Sequence, residues 1–191
     1  TGCRKFDHLI AVTSRHLCQR PFTEQLERIC RHHPKAVILR EKDLMEDDYL
    51  FFAKDALAIC REHGVRCVLH TFTKAALQLE HPYLHLPLAA LQKEGGKPDG
   101  IKILGSSIHS VSEAQDAERL GADYLTAGHI YATDCKAGVP PRGLDFLEEV
   151  CRSVQIPVYG IGGVRIGSGQ LDEMMARGAA GACVMSGMMR L

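Results

Sequence analysis

Apolar and polar positions along the chain follow two patterns that take turns. Short apolar runs rich in aliphatic residues recur eight times: HLIAVT (8–13), KAVILR (35–40), RCVLH (66–70), YLHL (83–86), IKILGSS (101–107), ADYLTAGH (122–129), IPVYGIGG (156–163) and AGACVMSG (180–187). Between them lie TEQLERICRHH, DYLFFAKDALAICREHG, TKAALQLE, LAALQKE, SVSEAQDAERLG, LDFLEEVCRSV and QLDEMMARG. Most of these place apolar residues at i, i+3, i+4 and i+7, with charge on the opposite face, as amphipathic helices do. Many of the short runs are continuously apolar, which is how strands covered on both faces read.

Boundary residues support this division. Ser110 or Ser112 can cap the helix that contains Glu113. Gly64, Gly121 and Gly178 each follow a helical stretch and precede a strand, where a left-handed residue ends a helix. EGGKPDG (94–100) is the one clear loop cluster, expected between the fourth helix and the fifth strand and distant from catalytic chemistry. Roughly eight βα units predict an α/β protein, a single compact (β/α)8 TIM barrel over residues 1–191. A doubly wound open sheet is the alternative, but no G-x-G-x-x-G follows the first strand. The final residues come just after the eighth strand, so the last helix is expected to be short or missing.

Composition narrows the picture. With 191 residues, 46% of them hydrophobic, the chain can bury one sizeable core. The 23 basic and 23 acidic residues cancel, leaving no global field to attract nucleic acid or a membrane surface. An anion site must therefore be local. The first apolar run is too short and interrupted for a signal or a membrane span, so a cytoplasmic location is expected. The eight cysteines are then expected as thiols, with Cys30, Cys60, Cys67 and Cys183 serving as small buried hydrophobes. No C-x-x-C pair suggests a zinc or redox centre.

In a barrel of this kind, chemistry sits at the C-terminal ends of the strands. That rule singles out Arg40 and Lys42, His70, His85, Ser106, Ser107 and His109, then His129 with Thr133, Asp134, Cys135 and Lys136. Gly162 and Gly163 end the seventh strand; Met185, Ser186 and Gly187 end the eighth. Glycine-rich ends of strands 7 and 8 can present backbone N–H groups to a phosphate, with no Cβ to push it away. Arg40 and Lys42 suit a second anionic group, or else a solvated loop with salt bridges to Glu41 and Asp43. His129 can titrate near neutral pH and move a proton, or serve as a hydrogen-bonded structural residue. Cys135 beside Lys136 is a weaker candidate nucleophile. No spacing assembles a metal site, and neither metal nor cofactor is expected.

The succession LREKD, GSSIHS, GADYLTAGHIYATDCKAG, PVYGIGGV and GACVMSG resembles the thiamine phosphate synthase superfamily over nearly the whole chain. Its synthases carry an Asn-Asp pair after strand 3 and a Gly-Gln-x-Asp-like segment after strand 4, whose carboxylates hold Mg²⁺. Here those places read His70-Thr71 and LPLAA from Leu86. Gly128-His129 followed by an aromatic residue and Thr133-Asp134-Cys135-Lys136 resembles instead the thiazole tautomerase branch. That resemblance implies His129 as the catalytic residue, with Arg40 and Ser107 helping to hold a substrate lined by Thr133, Asp134 and Cys135. It implies a phosphate received by Gly162, Gly163, Met185 and Ser186. The implied ligand is a phosphorylated thiazole, aromatised by a proton shift without metal. The alternatives are a magnesium-dependent synthase and a non-catalytic thiazole phosphate-binding regulatory protein. The assembly state is left open, a homodimer included.

Overall fold

The computed structural model describes residues 6–191. Eight strands follow one another in a closed parallel barrel: β1 (Leu9–Val12), β2 (Ala36–Leu39), β3 (Cys67–His70), β4 (Tyr83–Pro87), β5 (Ile103–Ile108), β6 (Tyr124–Gly128), β7 (Val158–Ile161) and β8 (Gly181–Val184). Each is followed by a helix: α1 (Phe22–Arg31), α2 (Glu46–Glu62), α3 (Thr73–Gln78), α4 (Leu88–Glu94), α5 (Val111–Arg119), α6 (Gly143–Ser153), α7 (Gln170–Ala176) and α8 (Ser186–Met189). All eight expected strands are present, most of them trimmed at one or both ends. The last helix is short rather than missing: a single turn docks on the loop after β1, where Ser14 N–H and Cys18 Sγ–H point at Met189 Sδ at 3.3 and 3.6 Å.

The expected helix ends form for the expected reasons. Ser110 caps α5 by accepting from Glu113 N–H at 3.1 Å, and the Glu113 carboxylate returns to His109 N–H at 2.9 Å. Gly64, Gly121 and Gly178 all adopt positive φ after α2, α5 and α7. The acidic first turn of α2, Glu46, Asp47 and Asp48, opposes the positive end of its dipole.

The chain packs as two compact units. The first runs to His85 and adds Gly100–Lys102 and Met185–Leu191; the second comprises Leu86–Asp99 and Ile103–Val184. In the first, Ile38 pairs with Val68, and His70 pairs with His85. The Cys67 thiol is hydrogen-bonded to the Cys60 thiol on α2, so Cys67 faces the helices. Alternation then turns Val68 and His70, and with them His85, toward the inside of the sheet. In the second, a Cβ on Gly160 would strike Met174 of α7 and Leu147 of α6. Gly160 therefore faces out, and Tyr159 and Ile161 face in. By register Tyr124, Thr126 and Gly128 share that inner face, and Ser107 joins them opposite Thr126. All four residues of β1, β2, β3 and β8 are buried; β1, β2 and β8 are apolar throughout, and β3 is apolar up to the buried His70 at its end. Cys30, Cys60, Cys67 and Cys183 are buried free thiols. Cys3 lies outside the described residues. Among the described residues, no helix is long and apolar enough to cross a membrane.

Candidate active site

In the first unit, the loops after β1 and β2 are tied by a chain of polar contacts. Glu41 is 2% exposed. Its carboxylate accepts from Thr13 Oγ1–H at 2.7 Å, from Arg15 N–H at 3.0 Å and from the Arg15 guanidinium at 2.9 Å. Arg15 also holds Asp43 through two bonds of 2.7 Å, and His16 reaches the same carboxylate at 2.8 Å. The salt bridges that sequence proximity offered between Arg40 and Glu41 or Asp43 do not form; Arg15, 25 or more positions upstream, takes both acids. Arg40 has no ion pair among the described residues. Its N–H donates to Thr13 Oγ1 at 3.0 Å, which fixes its backbone to the same network. Lys42 is exposed beside it.

Tyr49 was not a sequence candidate, yet it sets the ends of two strands. It is fully buried on α2, donates its hydroxyl to Leu39 carbonyl at 2.7 Å and accepts from His70 N–H at 2.9 Å. Arg40 follows Leu39 directly, so one phenol positions both Arg40 and His70. The ring of Tyr49 packs at a tilt of 33° against Phe72, with centroids 4.4 Å apart. His70 and His85 stack with centroids 5.2 Å apart. Burial, and then His85, Arg40 and Lys42, push the His70 imidazole well below its ordinary value. Burial and then Lys42 push His85 down to about 3. Both rings are thus neutral at physiological pH. Thr71 Oγ1 lies 2.8 Å from His70 Nδ1.

In the second unit, the β6–β7 pairing continues beyond the strands. Ile130 N–H donates to Ile161 carbonyl at 2.9 Å and Tyr131 N–H to Gly162 carbonyl at 3.0 Å. His129, 9% exposed, is therefore held flat against the end of β7; the Gly128–His129 peptide is cis. Gly162 and Gly163 have φ of +103° and +71°. A Cβ on Gly162 would fall onto the Cβ of His129, and one on Gly163 would meet Ala132 and Tyr131 carbonyls. The glycines are needed here to admit the His129 segment, a packing reason that a phosphate-only rationale for IGGV does not contain. Ser107 accepts from Thr126 Oγ1–H at 3.3 Å on the inner face. Thr133, Asp134, Cys135 and Lys136 lie on the loop that follows, with a 3-10 turn over Asp134–Lys136; the last three are exposed. Met185 immediately precedes α8, which Ser186 and Gly187 open, in the first unit. The exposed His109 side chain lies 3.6 Å from the Glu113 carboxylate.

A magnesium ion held by carboxylates at the ends of β3 and β4 does not fit these residues. His70, Thr71, Leu86 and Pro87 stand there, and a hard divalent cation wants several anionic oxygens. Among the described residues, the one three-residue group with metal-ligand spacing is Glu27, Glu62 and His63, on α1 and at the end of α2.

A family model described as thiamine monophosphate synthase matches residues 9–188. The chain belongs to that family. It is 34% identical over 188 residues to the thiamine-phosphate synthase of Syntrophomonas wolfei, covering 95% of this chain and 88% of that protein. It is 33% identical over 174 residues to thiamine-phosphate synthase 2 of Streptococcus pneumoniae, covering 88% and 80%. Among solved structures, thiamine phosphate pyrophosphorylase from Pyrococcus furiosus superposes with a TM-score of 0.79 at 26% identity, over 99% of this chain and 90% of that one.

Proposed function

We propose that this member of the family is a thiazole tautomerase of thiamine biosynthesis, with His129 as the proton-transfer residue. The observation that carries the reading is the placement of His129: a nearly buried imidazole at the end of a barrel strand, braced by Gly162. The absence of carboxylates at the ends of β3 and β4 supports it, because proton transfer needs positioning and an acid/base group rather than a metal.

The substrate in this reading is a non-aromatic thiazolylidene ethyl phosphate that carries a carboxylate. His129 takes the proton from ring C2, and the C–H electron pair enters the ring. The exocyclic double bond supplies the pair that binds a proton at the exocyclic carbon. The product is the aromatic thiazole carboxylate phosphate, an isomer, so no co-reactant is consumed. The protonated His129 can return the proton. The phosphate is assigned to Gly162 and Gly163, with Met185, Ser186 and Gly187 as further candidates. In the first unit Arg40 is the candidate for the carboxylate on charge, with Lys42 and His70 as candidates alongside; in the second unit the candidates are Ser107, Thr133, Asp134, Cys135 and Lys136.

The test follows aromatisation of the thiazolylidene phosphate carboxylate by ultraviolet absorbance or NMR with EDTA present. Acceleration over the spontaneous rate is expected, and His129→Ala should lose about 10²–10⁴-fold while staying folded. A folded variant with full activity removes His129 from the chemistry. The names of the relatives favour a second reading, a magnesium-dependent thiamine phosphate synthase. Diphosphate release that depends on Mg²⁺, with no aromatisation in EDTA, would select it.

A further inference from the structure

The His129 imidazole makes a polar contact with the loop that follows it: Nε2 lies 3.2 Å from the carbonyl oxygen of Val139. A carbonyl only accepts, so Nε2 carries a proton. In the neutral ring, Nδ1 then holds the lone pair.

The segment that supplies this carbonyl is built to stay in place. Val139 precedes Pro140 and Pro141. A residue before proline is restricted to extended backbone, and each proline fixes its own φ near −65°. The segment then closes back on the histidine. Arg142 N–H donates to His129 carbonyl at 2.9 Å, and Gly143 N–H to Ile130 carbonyl at 3.1 Å. On the near side, Val139 N–H donates to Lys136 carbonyl at 3.0 Å, which ties Val139 to the preceding 3-10 turn. Residues 139–143 thus grip His129 by its side chain and by its main chain. Val139, Pro140, Pro141 and Arg142 are exposed, so burial in the core is not what places the segment.

We infer that the Val139-Pro140-Pro141 segment is a positioning device that holds His129 as the Nε2–H tautomer and makes Nδ1 the nitrogen that accepts and returns the substrate proton. When Nδ1 gains a proton, the Nε2–H bond to Val139 is kept, so no protein group has to move between the two halves of the reaction. The inference rests on the tautomerase reading for its use of Nδ1; the tautomer itself is measurable without turnover.

The experiment is ¹⁵N NMR of histidine-labelled full-length chain, with His129→Gln used to assign the ring. The expected result at a pH where the ring is neutral is a protonated-type shift at Nε2 and an unprotonated-type shift at Nδ1. The double variant Pro140→Gly/Pro141→Gly should move both shifts toward the averaged values of a free imidazole. It should also lower kcat on the order of 10-fold with KM little changed, since loss of alignment falls on the chemical step. A proton on Nδ1 in the unaltered chain, or tautomer shifts that the glycine variant leaves untouched, overturns the inference. The expected shifts without any aromatisation would instead overturn the tautomerase reading and leave the clamp standing.

Discussion

The two units of the barrel hold their strand ends by opposite means. In the first, polar side chains do the holding: Thr13, Arg15, Glu41 and Asp43 form one network, and Tyr49 bonds the ends of β2 and β3. In the second, the holding is done by backbone bonds and by missing side chains. Ile130 and Tyr131 pair with Ile161 and Gly162, and Gly162 makes room for His129. The difference teaches where each unit tolerates change. Under the proposed function this suits His129, since backbone amides and glycines brace it without adding a titrating group.

The largest effect expected from breaking this contrast is in the second unit. Gly162→Ala adds a methyl group onto the Cβ of His129 at a φ that side chains rarely adopt. It should cost about 2–4 kcal/mol of stability and shift His129, so proton-transfer activity should fall further than the unfolding midpoint alone explains. Denaturant titration beside the aromatisation assay checks it, and a fully active, fully stable variant would refute the packing role.

Tyr49→Phe probes the first unit. It leaves the buried Leu39 carbonyl and His70 N–H without their shared partner. The expected loss is about 2–3 kcal/mol, read as a lower urea midpoint with unchanged slope. His129 chemistry should survive in the folded fraction. If Tyr49→Phe were as stable as the parent, side-chain polar bonds would not be what holds this unit.

Acid should separate the units by a smaller amount. His70 and His85 are held neutral by burial, so their folded values lie below those of the unfolded chain. The unfolded state then binds more protons below pH about 6.5. Stability from these rings is full above that pH and is lost as pH falls, over a window that for His85 extends down to about 3. Near pH 5 the loss from His85 is about 2 kcal/mol, and His70 adds to it in the same direction. Urea titrations at pH 7 and pH 5 should show a shallower acid dependence for His85→Gln than for the parent. Parallel curves would mean that His85 is not the group that titrates.

Much of this was legible in the chain. The alternation of apolar runs and amphipathic stretches placed all eight strands, and Ser110, Gly64, Gly121 and Gly178 marked real helix ends. The strand-end rule singled out His129 and, separately, Gly162 and Gly163; that Gly162 lies against the Cβ of His129 is seen only in the structure. It did not find Tyr49, because a tyrosine on an amphipathic helix reads as core, and only the path of β2 and β3 shows two backbone groups waiting for its hydroxyl. It offered Arg40 and Lys42 either an anionic ligand or salt bridges to Glu41 and Asp43, and it did not find Arg15, which reaches both acids from the preceding strand's loop. Local spacing carries no information about contacts across 26 or 28 positions.

The amino-acid sequence by itself determined the repeating βα plan, the neutral overall charge and the residue types at each strand end. Those follow from periodicity and composition, which are properties of the chain before it folds. The tertiary structure alone decided which carboxylates are already occupied, why Gly162 cannot carry a side chain, and which nitrogen of His129 bears its proton. Each of these depends on which groups meet at hydrogen-bond distance, and that is set only when strands and loops distant in sequence are packed side by side.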